Sequence, residues 1–200
     1  MKKMVFSGFG GQGVLTLGQI VANIAMLQGK EVTWMPSYGA EMRGGTANCS
    51  VVTNDFIIGS PIVQSEIDIL CALNKPSLTK FLPKMKPGGL VIVNSSIVKE
   101  KITREDVKVV EIDATNMAVG LGNIKVQNML ILAGIIKYTD VLTLDEVKPT
   151  IELAFGTKYP ELVPLNLQAV EEGLKSLEEG ENHEDLPTNL TGNHDSSRIM

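Results

Sequence analysis

The stretch Gly8-Phe9-Gly10-Gly11-Gln12-Gly13 constrains this chain more than any other, because it joins a short apolar strand directly to an amphipathic helix. Met4-Val5-Phe6-Ser7 has the character of a buried parallel strand. After the glycines, Leu17, Ile20, Val21, Ile24 and Leu27 recur at the i, i+3, i+4, i+7 spacing of a helix face, and Gly29 suits the C-terminal cap. Strand, loop and helix form the opening unit of a βαβ fold. Gly8, Gly10 and Gly13 satisfy G-x-G-x-x-G in the context that gives the pattern its meaning. The first glycine permits the turn, the second lets backbone approach a phosphate, and the helix start offers unpaired N–H groups and a positive dipole end. The loop is therefore expected to cradle an anion. The competing reading of the same glycines is a tight turn without a ligand.

Downstream, Glu31 to Met35 reads as a second strand, broken by Pro36. Two β-prone runs, Asn48 to Thr53 and Phe56 to Val63, meet at Asn54-Asp55 and predict a hairpin. Asp68 to Leu73 reads as a buried strand and Pro76 to Met85 as a helix stopped by Lys86-Pro87-Gly88-Gly89. Strands follow at Leu90 to Val93 and Val107 to Ile112, then helices over Val126–Lys137, Leu144–Phe155 and Leu165–Leu177. The 200 residues, 44% of them hydrophobic, suffice for one substantial core. The prediction is a single Rossmann-like α/β domain over residues 1–178, with a mostly parallel sheet, a β-hairpin insertion and a helical C-terminal part. Residues 179–200 read as an acidic, polar, disordered tail.

The net charge of −5 is concentrated at the C-terminus. Residues 171–200 hold eight acids and two bases, which leaves 15 acids and 16 bases of the totals of 23 and 18 for the body. A near-neutral body without a basic stripe argues against nucleic-acid binding. No apolar run approaches the roughly 18 residues of a membrane span, so the expected location is the cytoplasm and not the membrane. Cys49 and Cys71 form neither a disulfide framework nor a cluster motif. His183 and His194 both fall in the presumed tail, so neither histidine catalysis nor a metal site is expected of the body. No catalytic residue is assigned.

Ordinary NAD(P) use meets an obstacle. The second strand ends Val32-Thr33-Trp34-Met35-Pro36, with no acid for a ribose hydroxyl and no arginine for a 2′-phosphate. The doubled Gly10-Gly11 followed by Gln12 suggests an open backbone that accommodates a phosphate or a neighbouring subunit. Beside it, Ser37-Tyr38-Gly39-Ala40-Glu41-Met42-Arg43-Gly44-Gly45 is a second glycine-rich segment after strand two. Arg43 offers a fork for phosphate or carboxylate, Glu41 a partner for it, and Tyr38 a flat face, while Gly44 and Gly45 keep the backbone open. An Arg43–Glu41 surface pair is the plain alternative. Asn123 suits a helix cap, and Asn128, further inside, is a candidate contact.

These residues, with Thr46-Ala47-Asn48-Cys49, Gly59-Ser60-Pro61, Lys125, Met129, Asn166 and Gly173, resemble the gamma subunit, or gamma domain, of the 2-oxoacid:ferredoxin oxidoreductases. The likeness covers residues 4 to 175 and is strongest to the 2-oxoglutarate type, with pyruvate and branched-chain types also open. The resemblance implies a heteromeric enzyme that oxidatively decarboxylates a 2-oxoacid to acyl-coenzyme A and passes electrons to ferredoxin. It implies alpha, beta and ferredoxin-like delta partners, with thiamine diphosphate and magnesium between alpha and beta and iron–sulfur clusters on beta and delta. This chain has no Gly-Asp-Gly run leading to Asn-Asn and no cluster motif, so it is expected to be an accessory subunit, inactive alone, that contributes to coenzyme A access. The alternative class is a free-standing Rossmann-type NAD(P)-dependent oxidoreductase.

Overall fold

The computed structural model describes residues 1–37 and 46–184. Lys2–Phe9 forms β1, Val14–Leu27 α1, Glu31–Ser37 β2 and Thr46–Asn54 β3. Ile67–Ala72 is β4, whose six residues are all buried, as expected of a strand covered on both faces. Asn74 then caps α2, Lys75–Phe81, by accepting a hydrogen bond from the Ser77 amide at 2.8 Å, with Pro76 in the first turn.

The helix predicted to run to Met85 ends sooner. Pro83 has no N–H to continue the ladder, and Leu82–Lys84 forms a single 3-10 turn before β5, Met85–Asn94. Lys86-Pro87-Gly88-Gly89, expected to lie before the strand, forms an irregularity inside it. Ile67 pairs with Met85 and Ile69 with Leu90, so the extra β5 residues loop out, and Gly88 takes φ 75°. Lys108–Ile112 is β6, followed by α3 (Ala114–Gly120), α4 (Gln127–Tyr138), α5 (Leu144–Phe155) and α6 (Leu162–Glu184). The last helix continues past residue 179, where the tail was expected to start.

The strands form one mixed sheet in the order β2-β3-β1-β4-β5-β6. The pairs β1–β4, β4–β5 and β5–β6 are parallel, and β1–β3 and β3–β2 antiparallel. The predicted hairpin is corrected here: residues 46–54 do form one arm, but the other arm is β2, and 56–63 is irregular. The physical reason is that β1 and β2 occupy both edges of β3 and leave no ladder for a third strand. Phe56, Ile57 and Ile62 remain 78%, 88% and 57% exposed.

The main core lies between one sheet face and helices α1, α4, α5 and α6, with Met4, Phe6, Leu17, Cys71, Ile92, Met129 and Ile131 at its centre. Val5, Leu70, Leu78, Phe81, Val91 and Val98 form a second core on the opposite face, beneath α2. Among the described residues, no helix is long and apolar enough to cross a membrane.

Candidate functional site

Helix α1 leaves β1 toward the first core and α2 leaves β4 toward the second, although the two strands are neighbours. Their carboxyl ends form a topological switch point, the place where an open α/β sheet receives ligands. The glycine loop lies there.

Its backbone is built for close quarters at both ends and is open in the middle. Gly8 is buried, and a Cβ there would stand 2.6 Å from Gln12 Oε1 and 3.1 Å from Leu73 Cβ. Gly10 and Gly11 are exposed with nothing among the described residues within 4 Å of where a side chain would start, and Gly11 takes φ 93°. The Gln12 amide donates to the Phe9 carbonyl at 3.2 Å, closing a turn over the two glycines. Gly13, at φ 75°, starts α1 without a side-chain cap, so the first-turn amides keep their positive end toward the loop.

Asn128 holds this start in place. Its Nδ2 donates to the Gly13 carbonyl at 3.2 Å, and a Cβ on Gly13 would lie 2.6 Å from that nitrogen. The side chain is buried, and its Oδ1 has no partner among the described residues. Asn123 serves as a cap, accepting from the Lys125 amide at 3.0 Å. Gln12 is 7% exposed: Oε1 accepts from the Phe9 amide at 2.6 Å and Nε2 donates to the Leu73 carbonyl at 3.1 Å.

A cavity of about 360 Å³ opens beside the loop, bounded by Gly11, Gly13, Lys125, Asn128, Tyr159 and Asn166. Lys125 brings positive charge and Tyr159, with its neighbour Phe155, brings aromatic surface. Tyr159 and Phe155 had no signal in the sequence, because α5 and the turn after it meet the loop only through folding. Tyr38, Glu41, Arg43, Gly44 and Gly45 lie outside the described residues. The strands that flank them reach the same edge, since Thr46 pairs with Phe9 and Ser37 with Asn48.

A larger cavity, about 630 Å³, lies at the opposite edge among Lys2, Asp68, Lys86, Lys108, Lys137 and Asp140. Three of its four lysines are held in ion pairs, Lys2 with Asp140 at 3.4 Å, Lys86 with Asp68, and Lys137 with Glu181 at 2.8 Å, and Lys108 lies over the Tyr138 ring. It lies at the amino ends of the strands, away from the switch point and from any helix start among its lining residues, so the smaller cavity is the better candidate. Both thiols are fully buried, and burial pushes Cys49 up to about 12 and raises Cys71 as well, which disfavours the thiolate.

The dinucleotide reading loses a second support. β3 stands between β1 and β2, so the end of β2 is displaced by one strand from where a ribose-holding acid belongs, about 5 Å further away. Gln12 also fills the crevice above Gly8.

Comparison with known proteins agrees with this fold. The family described as pyruvate ferredoxin/flavodoxin oxidoreductase matches residues 3–176. Ketoisovalerate oxidoreductase subunit VorA of Methanothermobacter marburgensis is 32% identical over 173 residues, which are 86% of this chain and 35% of that protein. The chain thus spans about a third of the VorA relatives. 2-Oxoglutarate synthase subunit KorC of Methanothermobacter thermautotrophicus is 31% identical over 186 residues, 90% of this chain and 96% of that one. The crystal structure of a keto/oxoacid ferredoxin oxidoreductase gamma subunit from Geobacter sulfurreducens superposes with a TM-score of 0.73 at 28% identity, covering 88% of this chain and 97% of that chain. A 2-oxoglutarate:ferredoxin oxidoreductase from Magnetococcus marinus, solved with 2-oxoglutarate, coenzyme A and succinyl-CoA, shares the fold at a TM-score of 0.79 and 23% identity, over 90% of this chain and 31% of that chain. With its family match spanning nearly the whole body and its fold shared with a gamma subunit, this chain belongs to the pyruvate ferredoxin/flavodoxin oxidoreductase family.

Proposed function

We propose that this chain is the gamma subunit of a cytoplasmic 2-oxoacid:ferredoxin oxidoreductase, and that its glycine loop and Arg43 segment form part of the coenzyme A surface. The observation that carries the reading is the open Gly10–Gly11 tip at the uncapped start of α1, beside a cavity holding Lys125. Phosphates suit backbone amides at a helix start, and a lysine supplies the opposing charge. Tyr159 and Phe155 offer flat surface to an adenine ring. The donor set fits a phosphorylated carrier and does not fit a redox centre. Thiamine diphosphate, magnesium and the clusters belong, on this reading, to the alpha, beta and delta partners, which supply the decarboxylation and electron transfer to ferredoxin. This chain binds and orients one end of the acyl acceptor.

The 2-oxoacid proposed is 2-oxoglutarate, from the likeness of the Ser37 to Cys49 run to that type. Pyruvate and ketoisovalerate are the alternatives that the relatives' names carry. Arg43→Ala in the complex purified from its native source is expected to raise the KM for coenzyme A about tenfold or more, as the loss of a charge-assisted phosphate contact would. An unchanged KM removes Arg43 from the site. A panel of 2-oxoacids assayed on the same complex decides the substrate.

A further inference from the structure

We propose that Gln12 is a positioning residue for the acyl-acceptor site: its carboxamide plugs the crevice at the switch point and holds the Gly10–Gly11 tip out over the start of α1. The inference rests on the coenzyme A reading and deepens it.

In a sheet of this kind the ligand's natural seat is the space between the diverging helices. Here the protein's own side chain fills that space. Gln12 Oε1 takes the Phe9 amide at 2.6 Å and Nε2 reaches the Leu73 carbonyl at 3.1 Å, across a separation of 61 residues. Leu73 is itself tied to β1, its amide donating to the Ser7 carbonyl at 2.9 Å, so the acceptor sits on a rigid extension of β4. Gly8 has no side chain to compete, since a Cβ there would stand 2.6 Å from Oε1.

Only a carboxamide of this length meets both partners. Ionised glutamate lacks the donor for Leu73, leucine lacks both groups, and asparagine is one methylene short. With each polar end bonded to backbone and only 7% of the residue exposed, Gln12 is turned inward, away from a ligand on the open tip. It acts through the turn that it closes. That turn keeps Gly11 at φ 93° and leaves the tip open.

The test is the coenzyme A KM of the native complex carrying Gln12→Glu or Gln12→Leu, measured against pH. Burial and the facing Leu73 carbonyl raise the pKa of a glutamate at this place, and the protonated acid has the shape and the donor of the original amide. Gln12→Glu is expected to raise the KM about tenfold at alkaline pH, where the donor is gone, with kcat within about twofold of wild type. The elevation should shrink as pH falls and the acid protonates. Gln12→Leu should raise KM equally at every pH. If the leucine variant does not assemble, the glutamate profile alone carries the test. A wild-type KM for Gln12→Glu throughout, or an elevation that ignores pH, overturns the proposal. Hydrogen exchange separates this failure from failure of the coenzyme A reading. No protection of the loop amides by coenzyme A in the wild-type complex defeats that reading, and the role of Gln12 with it. Protection in wild type together with an unresponsive Gln12→Glu defeats the role of Gln12 alone.

Discussion

The two halves of the sheet bury themselves differently. In the parallel half, β4 and the centre of β5 are covered on both faces, so consecutive residues such as Ile69, Leu70 and Cys71 are all buried. In the antiparallel half, β3 turns Ala47, Cys49 and Val51 toward α1, while Asn48 and Ser50 between them are half-exposed. β2 at the edge is more open still, with Met35 39% exposed. The parallel half supplies rigidity and the crevice at its carboxyl ends. The antiparallel half supplies the strands that flank the Arg43 segment and separates β2 from β1. This inserted strand sets β2 one strand further from β1 than the dinucleotide-binding order does.

The largest effect expected from the comparison is at Leu70. Leu70→Ala removes a fully buried side chain from a strand that has no solvent face, and should cost about 2–5 kcal/mol by urea unfolding. A loss below about 1 kcal/mol would break the claim that this half is the rigid one.

A smaller effect is expected where α6 is clamped against α4. Lys137 pairs with Glu181 at 2.8 Å, and Tyr138 donates to the same carboxylate at 2.9 Å. These contacts hold the Glu181 carboxyl below the usual glutamate range, the side-chain bond from Lys137 foremost. A depressed folded-state pKa means that the stabilisation is present above the ordinary glutamate value and is lost as pH falls through the folded one. Glu181→Gln should therefore lower Tm slightly at neutral pH, and the gap to wild type should close on acidification. A gap that widens in acid would contradict the assignment.

The smallest effect belongs to the open face. Met35→Thr should change stability by no more than about 0.5 kcal/mol, because the side chain is exposed on an edge strand. A substantially larger loss in the isolated chain would mean that this face is covered.

Legibility followed the same division. β4 and the core of β5 were readable as buried apolar runs, and α5 at Leu144–Phe155 came out with the bounds expected of it. Asn48 to Thr53 was recognised as a strand but given the wrong partner, because alternation reports a half-buried strand and says nothing of which strand pairs with it. Of the candidate site residues, Gly8, Gly10, Gly11 and Gly13 lie on one loop and Asn128 meets Gly13 in space. Gln12 was singled out as a possible ligand contact, and the structure adds one internal bond at each end of its carboxamide, which no local pattern announces. Tyr159, from a distant turn, had no sequence signal.

By itself the sequence determined what depends on neighbouring residues: a strand, a positive-φ glycine turn and an amphipathic helix in succession, whose backbone preferences and side-chain periods are local. Tertiary structure alone decided that β3 lies between β1 and β2, that Asn128 anchors Gly13 from 115 residues away, and that a glutamine closes the crevice. Strand pairing and the partners of a buried amide are settled by which groups folding brings within hydrogen-bond reach, and no local preference encodes that distance.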